Sequence, residues 1–467
     1  MVKELDLEKY LKQFKDINVK NLVPLIKYDQ NWSLPDKYKI ESYDTIIKNN
    51  KSSTIVKRLR LFGRIYTNCE RPNTKKWYNG SLRKSGLKFI YKNKELWVVL
   101  KSNWPTANKD LPIKCLVKDN KLCFMVPKNY IGIWYEYGRE RINFIIIPKI
   151  LELRKEFWEV FGILYGEMLR KGYSTRVSNT SPTVIKHILN YFNKSQLIKF
   201  KDWTMGISIN KKDIFSYNKN YEEKIKKYWL SMLNIKELKI KKIRQYNLSS
   251  TLNPNFGQID LGYDNKSLNK IVNYLIKYIK ENVLKNKQNS MDFIRGLIAA
   301  EGSSDRNENK ALRAVRIASK LEEERLFYQA LLKKIGIKSK LYYNNHNIAS
   351  SGIENFILYL KYDLLGLNEK REETFIKRFC NLSLIKSSLL LLNKSLTVNE
   401  IVKILNFKDY RNVNRNFSRL TKLGYLKRIY TEEGFRYSLS KEFKSLLYPL
   451  MQANGTTLIT RLPIPTS

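Results

Sequence analysis

The chain has 467 residues, and its 87 Lys and Arg residues outnumber its 43 Asp and Glu residues, which gives a formal net charge of +44. Hydrophobic residues make up 43% of the sequence, too many for a disordered polycation, and the length suits about two to four domains. The apolar runs are much shorter than the roughly 18–20 residues of a membrane span. The charge surplus therefore favours a polyanionic partner, above all nucleic acid. An AT-rich gene would also raise the lysine count, although it would not lower the acid count.

Cysteine and histidine usage limits the chemistry that the chain can perform. The four cysteines are scattered and form no CxxC pair: Cys69, Cys115, Cys123 and Cys380. This pattern, with an N-terminus that lacks the apolar core of a signal peptide, predicts a cytoplasmic protein. The only histidines are His187 and His346, which argues against zinc sites and Ser-His-Asp catalysis. Carboxylates are therefore the expected catalytic groups.

Residues 1–150 are predicted to form a basic, mainly β domain. After a predicted helix at 4–16, short runs between 87 and 147 alternate apolar and polar residues with a period of two, as strands do. Several aromatic and basic residues here are candidates for nucleic-acid contact, although a solvated basic face over an ordinary core also explains them. They are Trp77, Tyr78, Arg83 and Lys84.

An internal duplication is the most informative feature of the sequence. Segments 154–169 and 291–304 are each predicted to be a helix with two small residues four apart, followed at once by a glutamate. The first segment has Gly162, Gly166 and Glu167, and the second has Gly296, Ala300 and Glu301. Small residues at i and i+4 share one helix face and allow close approach of a partner helix. We predict that these faces pair, that the two glutamates end side by side, and that Gly302 ends the second helix in a left-handed conformation.

Similar elements follow each predicted motif helix. Residues 151–290 and 291–380 each have the outline αββαββα, and the first of these repeats carries a long insertion before its last strand. The predicted fold class is α+β, with two αββαββα repeats in a pseudo-twofold arrangement around the paired motif helices. The mainly β domain precedes this pair of repeats.

The two motif segments resemble a known family of proteins. VFGILYGEM (160–168) and IRGLIAAEG (294–302) resemble the motifs of the LAGLIDADG homing endonucleases in their double-motif, single-chain form. The second segment matches along its whole length. The first has Met168 where a glycine usually follows the acid.

This resemblance implies a metal-dependent reaction on DNA. It implies that Glu167 and Glu301 bind a divalent cation, Mg²⁺ or Mn²⁺, and that the protein cuts both strands of duplex DNA. The chemistry is reasonable for these residues, because paired carboxylates hold hard cations while water and phosphate fill the remaining positions. The metal would activate water and stabilise the leaving 3′ oxygen.

The resemblance also implies two four-stranded sheets that lie over the major groove. Val177 and Ile317 are expected to point to the core, so Arg176 and Arg316 are expected to face DNA. There they would read guanine edges or bind phosphates, unless they are ordinary solvated strand residues. Lys340, from the preceding strand of the second repeat, is a further candidate DNA contact.

Residues 381–451 are predicted to form three helices followed by a hairpin. Thr397 and Glu400 make a capping box at the start of a helix at 398–405, and another helix spans about 410–423. This order resembles a winged helix-turn-helix, which places its third helix in the major groove, although such domains also bind other proteins. The candidate DNA contacts are Arg411, Asn412, Asn414 and Arg415 on the helix, with Lys427 and Arg428 on the wing.

The predicted function is a monomeric, site-specific double-strand DNA endonuclease. The first alternative is a non-cleaving DNA-binding transcriptional regulator on the same fold. Met168 favours it, as does the lack of the family's basic residue at the end of the last strand of each repeat, where Gly262 and Ser350 align. The second alternative is an RNA maturase that binds structured RNA, favoured by the basic, aromatic N-terminal region. The last segment, 452–467, is predicted to be a polar tail.

Overall fold

A computed structural model of the chain describes residues 3–27, 43–49, 52–61, 64–71, 74–78, 87–92, 95–100, 112–118, 121–137, 141–168, 175–210, 219–238, 240–246, 256–342, 346–407, 410–432 and 434–453. The chain divides into two compact units. The first unit is Met1–Val160 with Glu167–Glu281, and the second unit is Phe161–Gly166 with Asn282–Ser467. No helix within the described ranges is both long enough and apolar enough to cross a membrane. The predicted domain boundaries at 150, 290 and 380 stay predictions.

The N-terminal part of the first unit consists mainly of antiparallel strands. In chain order they are β1 (Glu4–Asp6), β2 (Asn18–Lys20), β3 (Leu22–Lys27), β4 (Tyr43–Asn49), β5 (Ser52–Leu61), β6 (Arg64–Arg71), β7 (Thr74–Tyr78), β8 (Leu87–Lys92), β9 (Glu95–Leu100), β10 (Pro112–Lys118), β11 (Lys121–Met125), β12 (Tyr130–Tyr137), β13 (Arg141–Pro148) and β14 (Ile150–Glu152). They pair in the orders β1-β14, β13-β12-β2, β3-β11-β10-β9-β8 and β4-β5-β6-β7. Of the candidate nucleic-acid contacts predicted here, Arg83 and Lys84 lie outside the described residues, as do the side chains of Trp77 and Tyr78.

The helix predicted at 4–16 is wrong in both of its bounds. Only α1 (Leu7–Leu11) is helical in that range, since β1 pairs with β14 and occupies the preceding residues. Asp6 caps the short helix by accepting a hydrogen bond from the backbone N–H of Lys9 at 2.9 Å. Pairing with a strand far along the chain thus overrides the local helical preference.

The next part of the chain contains a motif helix and a four-stranded sheet, and it belongs to the first unit except for Phe161–Gly166 and Asn282. Its elements are α2 (Lys155–Glu167), β15 (Thr175–Asn179), α3 (Pro182–Lys194), β16 (Thr204–Asn210), α4 (Lys219–Leu233), β17 (Ile240–Tyr246), β18 (Gln258–Tyr263) and α5 (Lys266–Asn282). The strand order is β15-β18-β16-β17. Strand alternation places Val177, Ile207 and Leu261 on an apolar face, where each is at most 1% exposed. The opposite face is polar and carries Arg176, as predicted.

The long insertion after β16 is folded into the first unit. In α4, Ile225, Trp229 and Leu233 recur every four residues and are fully buried. The indole N–H of Trp229 donates a hydrogen bond to the carbonyl oxygen of Phe256 at 2.8 Å. The following strand, β17, runs parallel to β16, which makes a βαβ unit. The described order of this repeat, αβαβαββα, departs from the predicted αββαββα because the insertion adds α4 and β17 and because β15 is the one described strand between α2 and α3.

The second unit contains the second motif helix and another four-stranded sheet. The elements are α6 (Lys287–Glu301), β19 (Gly302–Arg306), β20 (Leu312–Ala318), α7 (Glu322–Lys334), β21 (Lys340–Tyr342), β22 (Asn347–Ser350) and α8 (Ile353–Lys361). The strands pair antiparallel in the order β19-β20-β22-β21. Helix α7 packs against α6 and against β21 and β22. This order of elements is the one predicted from the sequence.

Gly302 does not adopt the left-handed conformation predicted for it. Its φ of −72° and ψ of 146° are extended, because β19 begins directly at the end of α6. A glycine is required there for space rather than for backbone conformation. An added Cβ would lie 2.6 Å from the carbonyl oxygen of Ile298, the group to which the Gly302 N–H donates.

The C-terminal part of the second unit contains helices and a small antiparallel sheet. Its elements are α9 (Glu369–Cys380), α10 (Ser383–Leu389), β23 (Leu396–Thr397), α11 (Val398–Leu405), α12 (Tyr410–Lys422), β24 (Leu426–Thr431), β25 (Gly434–Leu439) and α13 (Lys441–Ala453). The sheet order is β23-β25-β24. The predicted capping box of Thr397 and Glu400 is confirmed, with both reciprocal hydrogen bonds present. Residues 454–467 of the predicted tail lie outside the described residues.

Candidate metal centre and nucleic-acid interface

Within the second unit, residues Phe161–Gly166 of α2 pack closely against α6. An added Cβ at Gly162 would collide with the carbonyl oxygen of Phe293 and lie 2.9 Å from the backbone nitrogen of Leu297. No residue larger than glycine fits this distance between the two backbones. Gly296, the residue predicted to lie at this contact, is buried, but the α6 atoms nearest to Gly162 belong to Phe293 and Leu297.

The close approach continues to the end of the helix pair. An added Cβ at Gly166 would lie 2.9 Å from the Cβ of Ala300 and 2.9 Å from the Cγ of Glu301. Gly166 and Ala300 therefore meet as their spacing predicted. The side chain of the second motif acid rests on the glycine that directly precedes the first motif acid, Glu167.

Glu301 is half-buried, and neighbouring charges act on its carboxylate in opposite directions. Burial raises the pKa of Glu301, the guanidinium of Arg371 lowers it, and the carboxylate of Glu324 raises it further, with a net increase. Arg371 also donates a hydrogen bond from Nη2 to the carbonyl oxygen of Ala300 at 2.5 Å. Asn368 donates to another carbonyl group of the last turn of α6, at 3.1 Å. Side chains at the start of α9 thus donate hydrogen bonds to backbone carbonyl groups in the last turn of the motif helix, which have no partner within the helix.

Glu167 is held by a different partner. The side-chain amide of Asn179 donates a hydrogen bond to its Oε1 at 3.0 Å. Asn179 is only 4% exposed, and its own oxygen accepts a hydrogen bond from the backbone N–H of Ser181 at 2.8 Å. Asn179 therefore presents its amide to Glu167 in a fixed orientation. Sequence analysis did not identify this residue. Met168, the departure from the family pattern, is buried at 5% exposed.

The donor groups fit a hard divalent cation. The described residues include no group of three or more His, Cys, Asp and Glu side chains arranged to hold a metal ion. Mg²⁺ seldom needs such a cluster, because one or two carboxylates hold it together with water and substrate phosphates. Burial raises the pKa of Glu301, and a bound cation would favour its ionised form. Each motif glutamate is therefore chemically suited to bind Mg²⁺ or Mn²⁺.

The polar face of the first sheet carries charged and hydroxyl side chains. Arg176 is exposed there, and its Nη2 lies 3.3 Å from a carboxylate oxygen of Asp264. Asp260 accepts hydrogen bonds from Ser178, at 2.7 Å, and from Ser208. This face therefore offers both donors and acceptors to a ligand.

The polar face of the second sheet has a similar composition. Arg316 and Lys340 both pair in register with Ala349 of β22, so their side chains share one face, while Ile317 points to the core at 1% exposed. Lys340 is exposed, whereas Arg316 is half-buried and forms an ion pair with Asp305 at 2.6 Å. Arg316, which was predicted for this face, therefore shares it with Lys340, the further candidate DNA contact.

The last strands of the two repeats bring no basic side chain to the aligned positions. Ser350 is 1% exposed, and its hydroxyl accepts a hydrogen bond from Tyr359 at 3.2 Å inside the core. Gly262 is covered by Arg176, whose Cγ would lie 3.5 Å from an added Cβ. The absence noted in the sequence therefore holds at both of these described positions.

Helix α12 and the β24–β25 hairpin present a basic surface in the second unit. The buried side of α12 consists of Val413, Phe417 and Leu420. The predicted contact residues are all exposed: Arg411, Asn412, Asn414 and Arg415 on α12, and Lys427 and Arg428 on β24. The guanidinium of Arg428 lies 4.2 Å from the ring centre of Phe435, which is a cation–π contact within the hairpin.

Three basic residues of β17 were missed by sequence analysis. Lys241, Lys242 and Arg244 are exposed at the edge of the first sheet. They lie within the insertion, where the sequence offers no duplicated counterpart for comparison. Local periodicity gave no indication either, because the two isoleucines of the segment IKKIR are three residues apart and do not follow the period of two of a strand.

Residues 289–375 match the family described as LAGLIDADG-like domain. The matched segment contains Glu301 and all four strands of the second sheet. No curated protein matches the chain.

Several solved structures resemble the chain weakly. I-DmoI in complex with DNA and Mn has 14% identity and a TM-score of 0.26, covering 45% of this chain and 96% of that chain. The N-terminal LAGLIDADG domain of DUF199/WhiA has 12% identity and a TM-score of 0.27, covering 47% and 86%. Full-length DUF199/WhiA from Thermatoga maritima has 13% identity and a TM-score of 0.27, covering 58% and 90%. Such TM-scores do not establish a shared architecture, and the family match is limited to residues 289–375.

Proposed function

We propose that this protein is a site-specific double-strand DNA endonuclease that hydrolyses phosphodiester bonds with a divalent metal. The observation that carries the proposal is the contact of Gly166 with Glu301. Glu167 follows Gly166 in the sequence, so both motif acids end the helices that meet at this contact. In this proposal Glu167 and Glu301 together hold Mg²⁺ or Mn²⁺.

The surroundings of each acid suit this role. A bound divalent cation would activate water for attack on phosphorus and stabilise the leaving 3′ oxygen. Asn179 would keep one oxygen of Glu167 oriented through its amide hydrogen bond. Arg371 would hold the last turn of α6 and favour the ionised form of Glu301. Both acids would thus be in position before DNA arrives.

DNA binding is the second part of the proposal. The net charge of +44 favours a polyanionic partner, and both sheets have polar faces that carry basic residues. Arg176 on the first sheet, with Arg316 and Lys340 on the second, would contact bases or phosphates in the major groove. The part of the second unit that contains α11, α12 and the β24–β25 hairpin would act as a winged helix-turn-helix and extend the target site. A single chain with both motif acids would function as a monomer.

The test is a cleavage selection on a randomised duplex library. Wild-type protein is compared with a Glu167→Gln, Glu301→Gln double variant, in Mg²⁺ and in Ca²⁺. A Glu322→Gln, Glu323→Gln variant removes the same number of charges from the exposed start of α7 and serves as the matched control. We expect short 3′ overhangs at one enriched sequence, in Mg²⁺ only, from wild type and control alike. Equal cleavage by the Glu167/Glu301 variant would contradict the assignment of the acids.

A non-cleaving DNA-binding regulator is the second candidate function. Ser350 favours it, because its buried hydroxyl occupies the position aligned with the family's basic residue. The same selection distinguishes the two functions. Enrichment of bound sequence without strand breaks, in wild type and in the Glu167/Glu301 variant, would establish a regulator that retains the fold for binding.

A further inference from the structure

The polar face of the first sheet extends onto the inserted strand β17. Strand register places Lys242 beside Gly206 and Arg244 beside Ser208, whose hydroxyl donates to Asp260 on the polar face. Lys241 falls at a shift in the register, and its Nζ donates to the hydroxyl of Thr204 at 3.3 Å.

The inserted strand is held firmly at this edge. Ile243 pairs with the buried Ile207 on the apolar face, so the alternation of β17 matches that of the sheet it joins. The helix that leads into it, α4, is anchored by the fully buried Trp229 and packs against α3. The strand that carries these basic residues is therefore a well-packed edge of the same sheet that contains Arg176.

We propose that Lys241, Lys242 and Arg244, here called the β17 strip, bind phosphates of the same duplex DNA and lengthen the contact on the side of the first repeat. This inference rests on the proposed function. Neighbouring strands are about 4.8 Å apart, so β17 widens the polar face by one strand. Gly206 lies between Lys242 and Asp260 of β18 in the row of paired residues across these strands. Because Gly206 has no side chain, it does not cover Lys242.

The second sheet has no comparable strip among its described residues. Its edge strand β21 is only three residues long and carries Lys340 and Tyr342 on the polar face. The β17 strip therefore gives the first repeat a wider basic surface than the second repeat. DNA contact should extend further from the first repeat than from the second.

The number of phosphates contacted can be measured from the salt dependence of binding. Each phosphate neutralised contributes about 0.9 to the slope of log K against log salt concentration, so three contacts contribute about 3. Binding of the full chain to a fluorescein-labelled mixed-sequence duplex is followed by anisotropy at several salt concentrations. The test variant is Lys241→Gln, Lys242→Gln, Arg244→Gln. The control removes three exposed positive charges from the same insertion: Lys224→Gln, Lys227→Gln, Lys236→Gln.

We expect the slope to fall by about 3 in the β17 variant and by less than 1 in the control. Hydroxyl-radical footprints on a wild-type-selected duplex should shorten at one end only in the β17 variant. Equal slopes for the two variants, with wild type still bound to DNA, would overturn this inference and leave the proposed function intact. No binding of duplex DNA by the wild type would overturn both. Far-UV circular dichroism confirms that each variant is folded.

Discussion

The two motif helices end in the same residue type, but their ends have different surroundings. Glu167 accepts a hydrogen bond from the buried amide of Asn179. Glu301 is half-buried near Arg371 and Glu324, and its pKa is raised by burial. The duplicated motif therefore sets the position of each acid, while elements outside the motif set its electrostatics. A symmetric sequence pattern does not imply two equivalent carboxylates.

The two sheets differ in a related way. The second sheet consists of antiparallel pairs, whereas the first has gained a parallel edge strand from an insertion. Arg316 is restrained by Asp305 at 2.6 Å, and Arg176 lies 3.3 Å from the exposed Asp264. The arginines of the two sheets therefore differ in how closely each is paired with an aspartate. Substitutions in each repeat can test these differences.

The largest effect is expected from Trp229→Ala. The fully buried indole anchors the insertion that only the first repeat carries. Its removal should cost about 3–5 kcal/mol of local stability around β16, β17 and α4. Native-state hydrogen exchange followed by mass spectrometry gives this quantity, and peptides from β19–β22 are the internal control. Unchanged protection of β17 would mean that the insertion is held by something other than α4.

The contacts of the helix pair predict that alanine substitutions at its two glycines lower the free energy of unfolding by different amounts. Gly162→Ala places a methyl group against the backbone of α6, which cannot yield, so we expect a loss of about 3 kcal/mol. Gly166→Ala meets the side chains of Ala300 and Glu301, which can shift, so we expect about 1 kcal/mol. Urea unfolding followed by near-UV circular dichroism gives both values. A larger cost at Gly166 would reverse the comparison.

The ion pairs of the two sheets predict different responses to removal of an aspartate. Asp305→Asn should release Arg316 and strengthen DNA binding by about 1 kcal/mol, which is about fivefold. Asp264→Asn removes the partner of Arg176 in an ion pair that is longer and exposed to solvent. This substitution should change DNA binding by less than about twofold. Anisotropy titration at fixed salt measures both. Equal gains would show that general charge, and not release of Arg316, controls binding.

The smallest effect is a pH-dependent gain in stability for Glu301→Gln. Burial raises the pKa of Glu301 above its ordinary value of 4.5, so the folded state disfavours the ionised form. The wild type therefore loses stability as the pH rises through this range, and Glu301→Gln should be the more stable protein at pH 7. The gain should vanish below about pH 4, where the wild-type carboxyl is protonated in both states.

Thermal unfolding in EDTA, without DNA, between pH 4 and pH 7 checks this dependence. Glu167→Gln serves as the comparison, because a glutamine oxygen can still accept the hydrogen bond from Asn179. A gain for Glu301→Gln that persists unchanged at pH 4 would show that ionisation of Glu301 is not its cause.

Features that depend on short sequence spacing could be predicted from the sequence. The i, i+4 pair of glycines marked the close helix contact, and the capping box of Thr397 and Glu400 marked the start of α11. Alternation in β15 and β20 identified Arg176 and Arg316 as residues opposite the core. In each case the deciding neighbours lie within a few residues along the chain, so local periodicity contains the information.

Other features depended on residues that are distant in sequence. Only tertiary structure showed that β1 replaces the first turn of the predicted helix, because its partner β14 lies about 145 residues away along the chain. Gly302 appeared to be a left-handed cap, whereas its role is to leave room for a carbonyl group.

The sequence alone therefore determined the close-packed face of α2 and the polarity of β15 and β20, since these follow from residue spacing within single elements. The tertiary structure decided which groups surround Glu167 and Glu301, and it placed the basic residues of β17 and Arg176 at opposite edges of the same sheet face. Burial, hydrogen bonding and charge act between elements that the chain brings together only on folding. The electrostatic character of a site is for that reason a property of the fold.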